Sequence, residues 1–92
     1  MEQDPIKRES LLTFPCVFPI KVVGRREDGY AQTVSEIVQR HAPDFHPETM
    51  EMRTSRNGRY LSLTVTLNAK SREQLDALYS ELSKHPMVMM VL

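Results

Sequence analysis

RYLSLTVTLNA, residues 59–69, decides how this chain folds. Leu61, Leu63, Val65 and Leu67 share one parity; Tyr60, Ser62, Thr64, Thr66 and Asn68 share the other. Successive side chains of a strand point to opposite faces, so the stretch predicts a strand with a greasy side and a hydroxyl side. Such a strand suits an antiparallel sheet whose second face meets water.

Asn57-Gly58 lies just upstream, a strong hairpin signal because both residues accept positive φ. Residues 48–56 therefore read as a weaker partner strand, with Met50, Met52 and Thr54 opposite Thr49, Glu51 and Arg53. Downstream, Ser71 with Gln74 three residues later forms a capping box, and Leu75, Leu78, Tyr79 and Leu82 make the apolar stripe of a helix. Pro86 ends it, and MVMMVL closes the chain as an apolar strand.

Towards the N-terminus, CVFPIKVVG (16–24) alternates Phe18, Ile20 and Val22 with Val17, Pro19, Lys21 and Val23. It reads as the first strand, although Pro19 donates no ladder hydrogen bond and belongs at an edge or a bulge. A charged connection, GRREDG (24–29), leads to Tyr30, Val34, Ile37, Val38 and His41, an amphipathic helix with Asp28 placed to cap it. Pro43 stops that helix near Ala42. Leu11, Leu12 and Phe14 open the ordered part as a short turn under the domain, and residues 1–10 read as a charged tail.

The order is β-α-β-β-α-β. Two right-handed crossovers and one hairpin predict an α+β, ferredoxin-like two-layer sandwich over residues 11–92, with antiparallel sheet order 4-1-3-2 and both helices on one face. Ninety-two residues bury little more than ~60% of their unfolded surface, which suits a single layer pair.

Twelve basic residues balance twelve acidic ones, so the excess that nucleic-acid binders use against phosphate is missing. The single Cys16 forms no intrachain disulfide, and MEQDPIKRES lacks the basic start and apolar run of a signal peptide. No stretch approaches the ~20 apolar residues of a membrane span. The expected location is cytoplasmic.

No catalytic set assembles. Cys16 has no histidine near it in sequence, and His41, His46 and His85 lack metal-ligand spacing, so neither a metal nor another cofactor is expected. GRREDG offers arginines but places acids directly behind them, unlike an acylphosphatase phosphate loop. Tyr60 is the only aromatic on the outer parity of its strand, and Arg53, Arg56 and Arg59 cluster round the hairpin; RNA binding is disfavoured by the neutral balance. The uncovered face offers Val17, Lys21, Val23, Tyr60, Ser62, Thr64 and Thr66 as a partner surface. The last strand adds either Met87, Met89 and Val91 or Val88, Met90 and Leu92. The projected area of the whole four-stranded open face, roughly 380 Å², makes a homodimer through this face weak at best against the ~1,000 Å² of a convincing interface.

FPCVFPIKVVG (14–24), QRHAP (39–43), the closing MVL and the hairpin NGRYLSLTVTLNA together resemble the YbeD-like family of small bacterial proteins over residues 11–92. The resemblance implies a ferredoxin-like fold similar to ACT regulatory domains. It brings no catalytic residues. The family carries the label of a lipoate-associated regulatory protein, from gene neighbourhood with lipoate attachment. ACT domains bind small effectors at the loop between strand one and helix one, usually at a subunit interface. Here the resemblance points to Gly24, Arg25, Arg26, Asp28 and Gly29, with Asp28-Gly29 similar to the acidic-glycine turn and Arg25 or Arg26 facing the carboxylate of an amino acid or of lipoate. The expectation is a non-enzymatic regulatory or adaptor module with a small carboxylate ligand; the alternative is a protein-docking module using the open sheet face.

Overall fold

The computed structural model describes residues 13–92. The charged tail and the turn residues Leu11 and Leu12 lie outside the described residues. The elements are β1 (Cys16–Arg25), α1 (Tyr30–His41), a 3-10 turn (Pro47–Thr49), β2 (Glu51–Thr54), β3 (Tyr60–Ala69), α2 (Arg72–Lys84) and β4 (Val88–Val91). They form one antiparallel sheet in the order β2-β3-β1-β4, the predicted ferredoxin-like arrangement.

β1 and β3 pair along their whole length, from Cys16 opposite Ala69 to Arg25 opposite Tyr60. One face of this pair carries Ile20, Val22, Leu63, Val65, Leu67 and Ala69, all buried. Against it pack Tyr30, Val34, Ile37 and Val38 of α1 and Leu75, Leu78 and Leu82 of α2. Period two on the sheet and period 3.6 on the helices thus meet in one apolar layer. Phe14 and Cys16 are half-buried against its margin.

Pro19 sits on a central strand without breaking the ladder. Lys21 donates its N–H to the Leu92 carbonyl (3.1 Å) and accepts the Leu92 N–H (2.8 Å). Alternate residues of an antiparallel strand aim their backbone groups to the same side. The Pro19 nitrogen therefore points to the β4 side, past Leu92, where no described strand lies alongside β1. The missing donor costs no hydrogen bond.

β4 resolves the two parities that its sequence allowed. Val91 pairs with buried Val22 and Met90 with Val23, so Met90 and Leu92 look out from the open face. A register shift between Val23 and Gly24 then brings Val88 opposite Gly24, and Val88 turns inward instead of following Met90 outward.

Three local expectations need correction. The strand expected over 48–56 shrinks to Glu51–Thr54, because Pro47 starts a 3-10 turn closed by Met50 N–H to the Pro47 carbonyl at 3.1 Å. Asp28 does not cap α1: the cap is Gly29 in the left-handed region (φ 84°), whose carbonyl accepts the Thr33 N–H. In the hairpin only Gly58 takes positive φ (77°). Asn57 acts through its side chain, Oδ1 accepting from Ser55 Oγ and from the Arg59 N–H.

The box at α2 holds, in modified form. Ser71 Oγ accepts the Gln74 N–H (3.1 Å), while Gln74 Oε1 accepts from Lys70 N–H (2.6 Å) one residue before the cap. Gln74 Nε2 also donates to the His41 carbonyl (2.8 Å), tying the start of α2 to the end of α1.

Candidate functional site

Arg25 opposite Tyr60 is the last rung of the β1–β3 ladder, so the loop leaving β1 and the hairpin entering β3 lie side by side. Two hydrogen bonds stitch them. Arg26 N–H donates to the Arg59 carbonyl (2.8 Å), and Arg26 Nε donates to the Gly58 carbonyl (2.9 Å). Arg25, Arg26, Glu27, Arg59 and Tyr60 line a groove of about 480 Å³. Three guanidiniums face one carboxylate, and half-buried Tyr60 supplies an aromatic wall. Arg25 and Arg59 are exposed and have no ion-pair partner among the described residues. Free guanidinium forks suit a carboxylate, which they bind through two parallel N–H···O bonds.

Of the loop residues singled out in the sequence, Arg25 and Arg26 line this groove; Gly24, Asp28 and Gly29 do not. Gly24 is buried beneath it. A Cβ there would stand 2.4 Å from the Met87 carbonyl oxygen and 2.7 Å from the Tyr30 ring, so the missing side chain seats Tyr30 under β1. The Tyr30 hydroxyl is buried without a hydrogen-bond partner among the described residues, and burial pushes its pKa up to about 12. Gly29 caps α1, and Asp28 is exposed beside it.

The open face is ordered in cross-strand rows. Glu51, Thr64, Lys21 and Leu92 form one; Arg53, Ser62, Val23 and Met90 form the next. Thr66 lies opposite Pro19, and Tyr60 opposite Arg25. Charge and hydroxyl gather over β2 and β3, where Lys21, Glu51, Arg53, Ser62 and Thr64 line a shallow depression of about 300 Å³. The apolar flank lies over β1 and β4, with Val17 72% and Leu92 63% exposed.

Behind the sheet, Glu81 of α2 joins the helices by accepting from both Arg40 and His41 of α1, the latter at 2.7 Å. The Arg40 hydrogen bond, with help from His41, holds the Glu81 carboxyl down at about 2. His46 stands 3.7 Å from Glu48, and His85 Nδ1 accepts the Met87 N–H. Among the described residues no three His, Cys, Asp or Glu side chains converge. No described helix is long and apolar enough to cross a membrane.

Residues 9–92 match the family model described as a protein of unknown function, DUF493. The chain belongs to the DUF493 family. Among similar proteins, a UPF0250 protein of Nitrosomonas europaea is 56% identical over 84 residues, covering 91% of this chain and 97% of that one. A UPF0250 protein of Ralstonia nicotianae is 55% identical over 85 residues, 92% of this chain and 88% of its own. The solution structure of protein HP0495 from Helicobacter pylori superposes with a TM-score of 0.74 at 16% identity, covering 100% of this chain and 97% of that one. The ACT domain from GTP pyrophosphokinase of Chlorobium tepidum gives 0.64 at 18% identity over 84% and 83% of the two chains. These likenesses place the DUF493 chain in an ACT-like fold.

What sequence reading did not supply is the partnership of Arg59 and Tyr60 with the β1–α1 loop. They stand 33 or more residues from Arg26 in the chain and are brought beside it by end-to-end pairing of β1 with β3. The similar length of the two alternating runs, 16–24 and 59–69, is the one available signal.

Proposed function

We propose that this DUF493 protein is a non-enzymatic, cytoplasmic regulatory or adaptor module that takes a small carboxylate in the groove between the β1–α1 loop and the hairpin. The observation that carries this reading is the meeting of Arg25, Arg26 and Arg59 with Tyr60 around one cleft. Its volume falls in the usual range of ~300–1,000 Å³ for small-ligand sites. Arg26 is already committed to the Gly58 carbonyl through Nε, which leaves the exposed Arg25 and Arg59 as the carboxylate clamp. Tyr60 and the arginine stems cover the ligand's apolar part. Glu27, the acid in the same groove, accepts from an ammonium group, so an α-amino acid satisfies both charges while lipoate satisfies only the arginines.

Titration calorimetry with amino acids, lipoate and octanoate tests the assignment. Arg25→Ala and Arg59→Ala should each abolish binding of whichever compound binds the native protein, with folding intact. Glu27→Gln should weaken an amino acid and leave lipoate unchanged. Unaltered affinity in both arginine variants removes the groove from consideration. Turnover that follows the purified protein and disappears with a single substitution would overturn the non-enzymatic reading.

A second reading rests on the apolar flank of the open face, Val17, Val23, Met90 and Leu92, as a docking surface for another protein. It predicts that Val23→Arg or Thr64→Arg breaks a co-purifying complex without unfolding the chain. A complex untouched by either change rules this face out.

A further inference from the structure

β2 is an outer strand of the sheet, and all four of its residues are exposed. The Ser55 N–H points into the sheet, to the Tyr60 carbonyl at 2.8 Å. By the alternation of an antiparallel strand, Arg53 and Glu51 also turn their backbone groups towards β3, whereas Met52 and Thr54 turn theirs outward. Outer strands are commonly blunted by brevity, charge, proline or a bulge. Glu51–Thr54 is short and carries Glu51 and Arg53, but it has no proline or bulge and pairs with β3 in unbroken register. Its two charges are of opposite sign, so they repel a neighbouring edge only where like meets like. Its centre is Met52, opposite Leu63 on the helix side of the sheet and 62% exposed. Glu51 and Arg53 flank it on the open face, opposite Thr64 and Ser62, and neither has an ion-pair partner among the described residues.

We propose that two copies of this chain pair antiparallel through their β2 edges, about a twofold axis at Met52. Residues that face each other across an antiparallel pair project to the same side of the sheet. The axis must therefore pass through a residue position, and the charges choose which one. At Glu51 or at Arg53 it sets a like charge against itself. At Met52 it sets Glu51 against the partner's Arg53 and Arg53 against the partner's Glu51, both on the open face. Glu-Met-Arg is self-complementary in this register, as a twofold interface requires.

The backbone agrees with the side chains. Met52 N–H and C=O both point outward, so the two central residues form a doubly hydrogen-bonded pair. Thr54 N–H then reaches the partner's Met50 carbonyl; the Met50 N–H is already bound to Pro47. On the helix side, Met52 meets its counterpart, and the apolar strip runs on through Met50 into a groove of about 410 Å³ lined by Ala31, Ser35 and Pro47. Two four-stranded sheets become one of eight, with the helices of both copies on one face. The paired edge is only ~14 Å long, so the dimer forms at micromolar rather than nanomolar concentration. This contact uses the sheet edge and leaves the open face and the arginine groove free.

Sedimentation equilibrium of the full chain from about 1 µM to about 1 mM tests the proposal. The native chain should pass from monomer to dimer. Arg53→Glu and Glu51→Arg should each weaken dimerisation by about tenfold or more, since each sets like charges face to face at two symmetric positions. The double exchange, Glu51→Arg with Arg53→Glu, should restore it. Met52→Cys in a Cys16→Ala background reads the register independently: a doubly hydrogen-bonded pair separates Cα atoms by ~5.5 Å, within disulfide reach, and oxidation should yield a covalent dimer. Glu51→Cys should not couple. A native chain that stays monomeric across the range, a dimer indifferent to the single exchanges, or Glu51→Cys coupling as readily as Met52→Cys overturns the proposal.

Discussion

Arg26 Nε donates to the Gly58 carbonyl at 2.9 Å, a bond between residues 32 apart that fixes the β1–α1 loop against the β2–β3 hairpin. With the backbone bond from Arg26 N–H to Arg59, it holds two exposed turns as the walls of one groove. A groove bounded by two independent loops would change shape as each moved; this one is braced.

Removing the brace should loosen the walls without disturbing the core. Arg26→Ala retains the backbone bond to Arg59 but loses the guanidinium bond to Gly58. Stability should fall by about 1 kcal/mol, as for a single hydrogen bond involving a charged donor at the surface. Amide exchange should accelerate in residues 56–59 and stay unchanged in β3 beyond Leu63. Exchange measured by NMR on the variant distinguishes this from a general loss of stability.

Gly24→Ala should be far more damaging. The added methyl meets a backbone oxygen at 2.4 Å and the buried Tyr30 ring at 2.7 Å, and a backbone atom cannot swing aside as a side-chain tip can. The cost belongs at the top of the ~1–3 kcal/mol range for overpacking. For a domain of this size that lowers the unfolding midpoint by about 10 °C or more. A variant melting within a degree or two of the native chain would contradict the tight seating of Tyr30.

Tyr30→Phe should go the other way. The phenol is buried with no partner among the described residues, so its removal relieves a desolvation cost of about 1–3 kcal/mol for little loss of packing. The same burial lifts the folded pKa from 10.0 to about 12. Because the raised value favours the neutral phenol in the folded state, its contribution is complete below pH ~10 and is lost as pH climbs towards ~12. Urea midpoints at pH 7 and pH 11 should show a smaller alkaline loss in Tyr30→Phe than in the native chain.

Glu81 sets the acid side. Its carboxyl is held at about 2, against 4.5 unperturbed, chiefly by the Arg40 hydrogen bond and next by His41. A depressed carboxyl stabilises the fold fully above pH ~4.5, and that contribution disappears as pH falls towards ~2. Glu81→Gln should be less stable than the native chain at pH 7 and equal to it near pH 2. Parallel curves at both pH values would mean that the Arg40–Glu81–His41 cluster contributes nothing to joining the helices.

Most of the fold was legible because apolar spacing and turn chemistry agree. The parity of Leu61 to Leu67, the stripe Leu75, Leu78 and Leu82, and the Ser71–Gln74 cap each identify one element, and six elements in this order leave few topologies. The misreadings are all local. Asp28 and Gly29 are both good caps, and the tight entry of Tyr30 under Gly24 accompanies the choice of glycine. Pro47 could equally have preceded a strand, but it opens a 3-10 turn. Pro19 looked out of place because the sequence does not show where β4 stops along β1. For the groove, Arg25 and Arg26 were legible from the loop, whereas Arg59 and Tyr60 depended on a strand register that no local pattern states.

A thermal-unfolding screen of the native chain against the amino acids, lipoate and octanoate tests the proposed ligand site most directly. A compound present at one hundred times its dissociation constant adds ~2.7 kcal/mol, which raises the midpoint by about 4–8 °C for each kcal/mol. Such a rise is expected with one carboxylate, together with its loss in Arg25→Ala and Arg59→Ala. An unmoved midpoint across the whole panel, at concentrations up to the millimolar range, would contradict it and turn the search for function to the apolar flank of the open face.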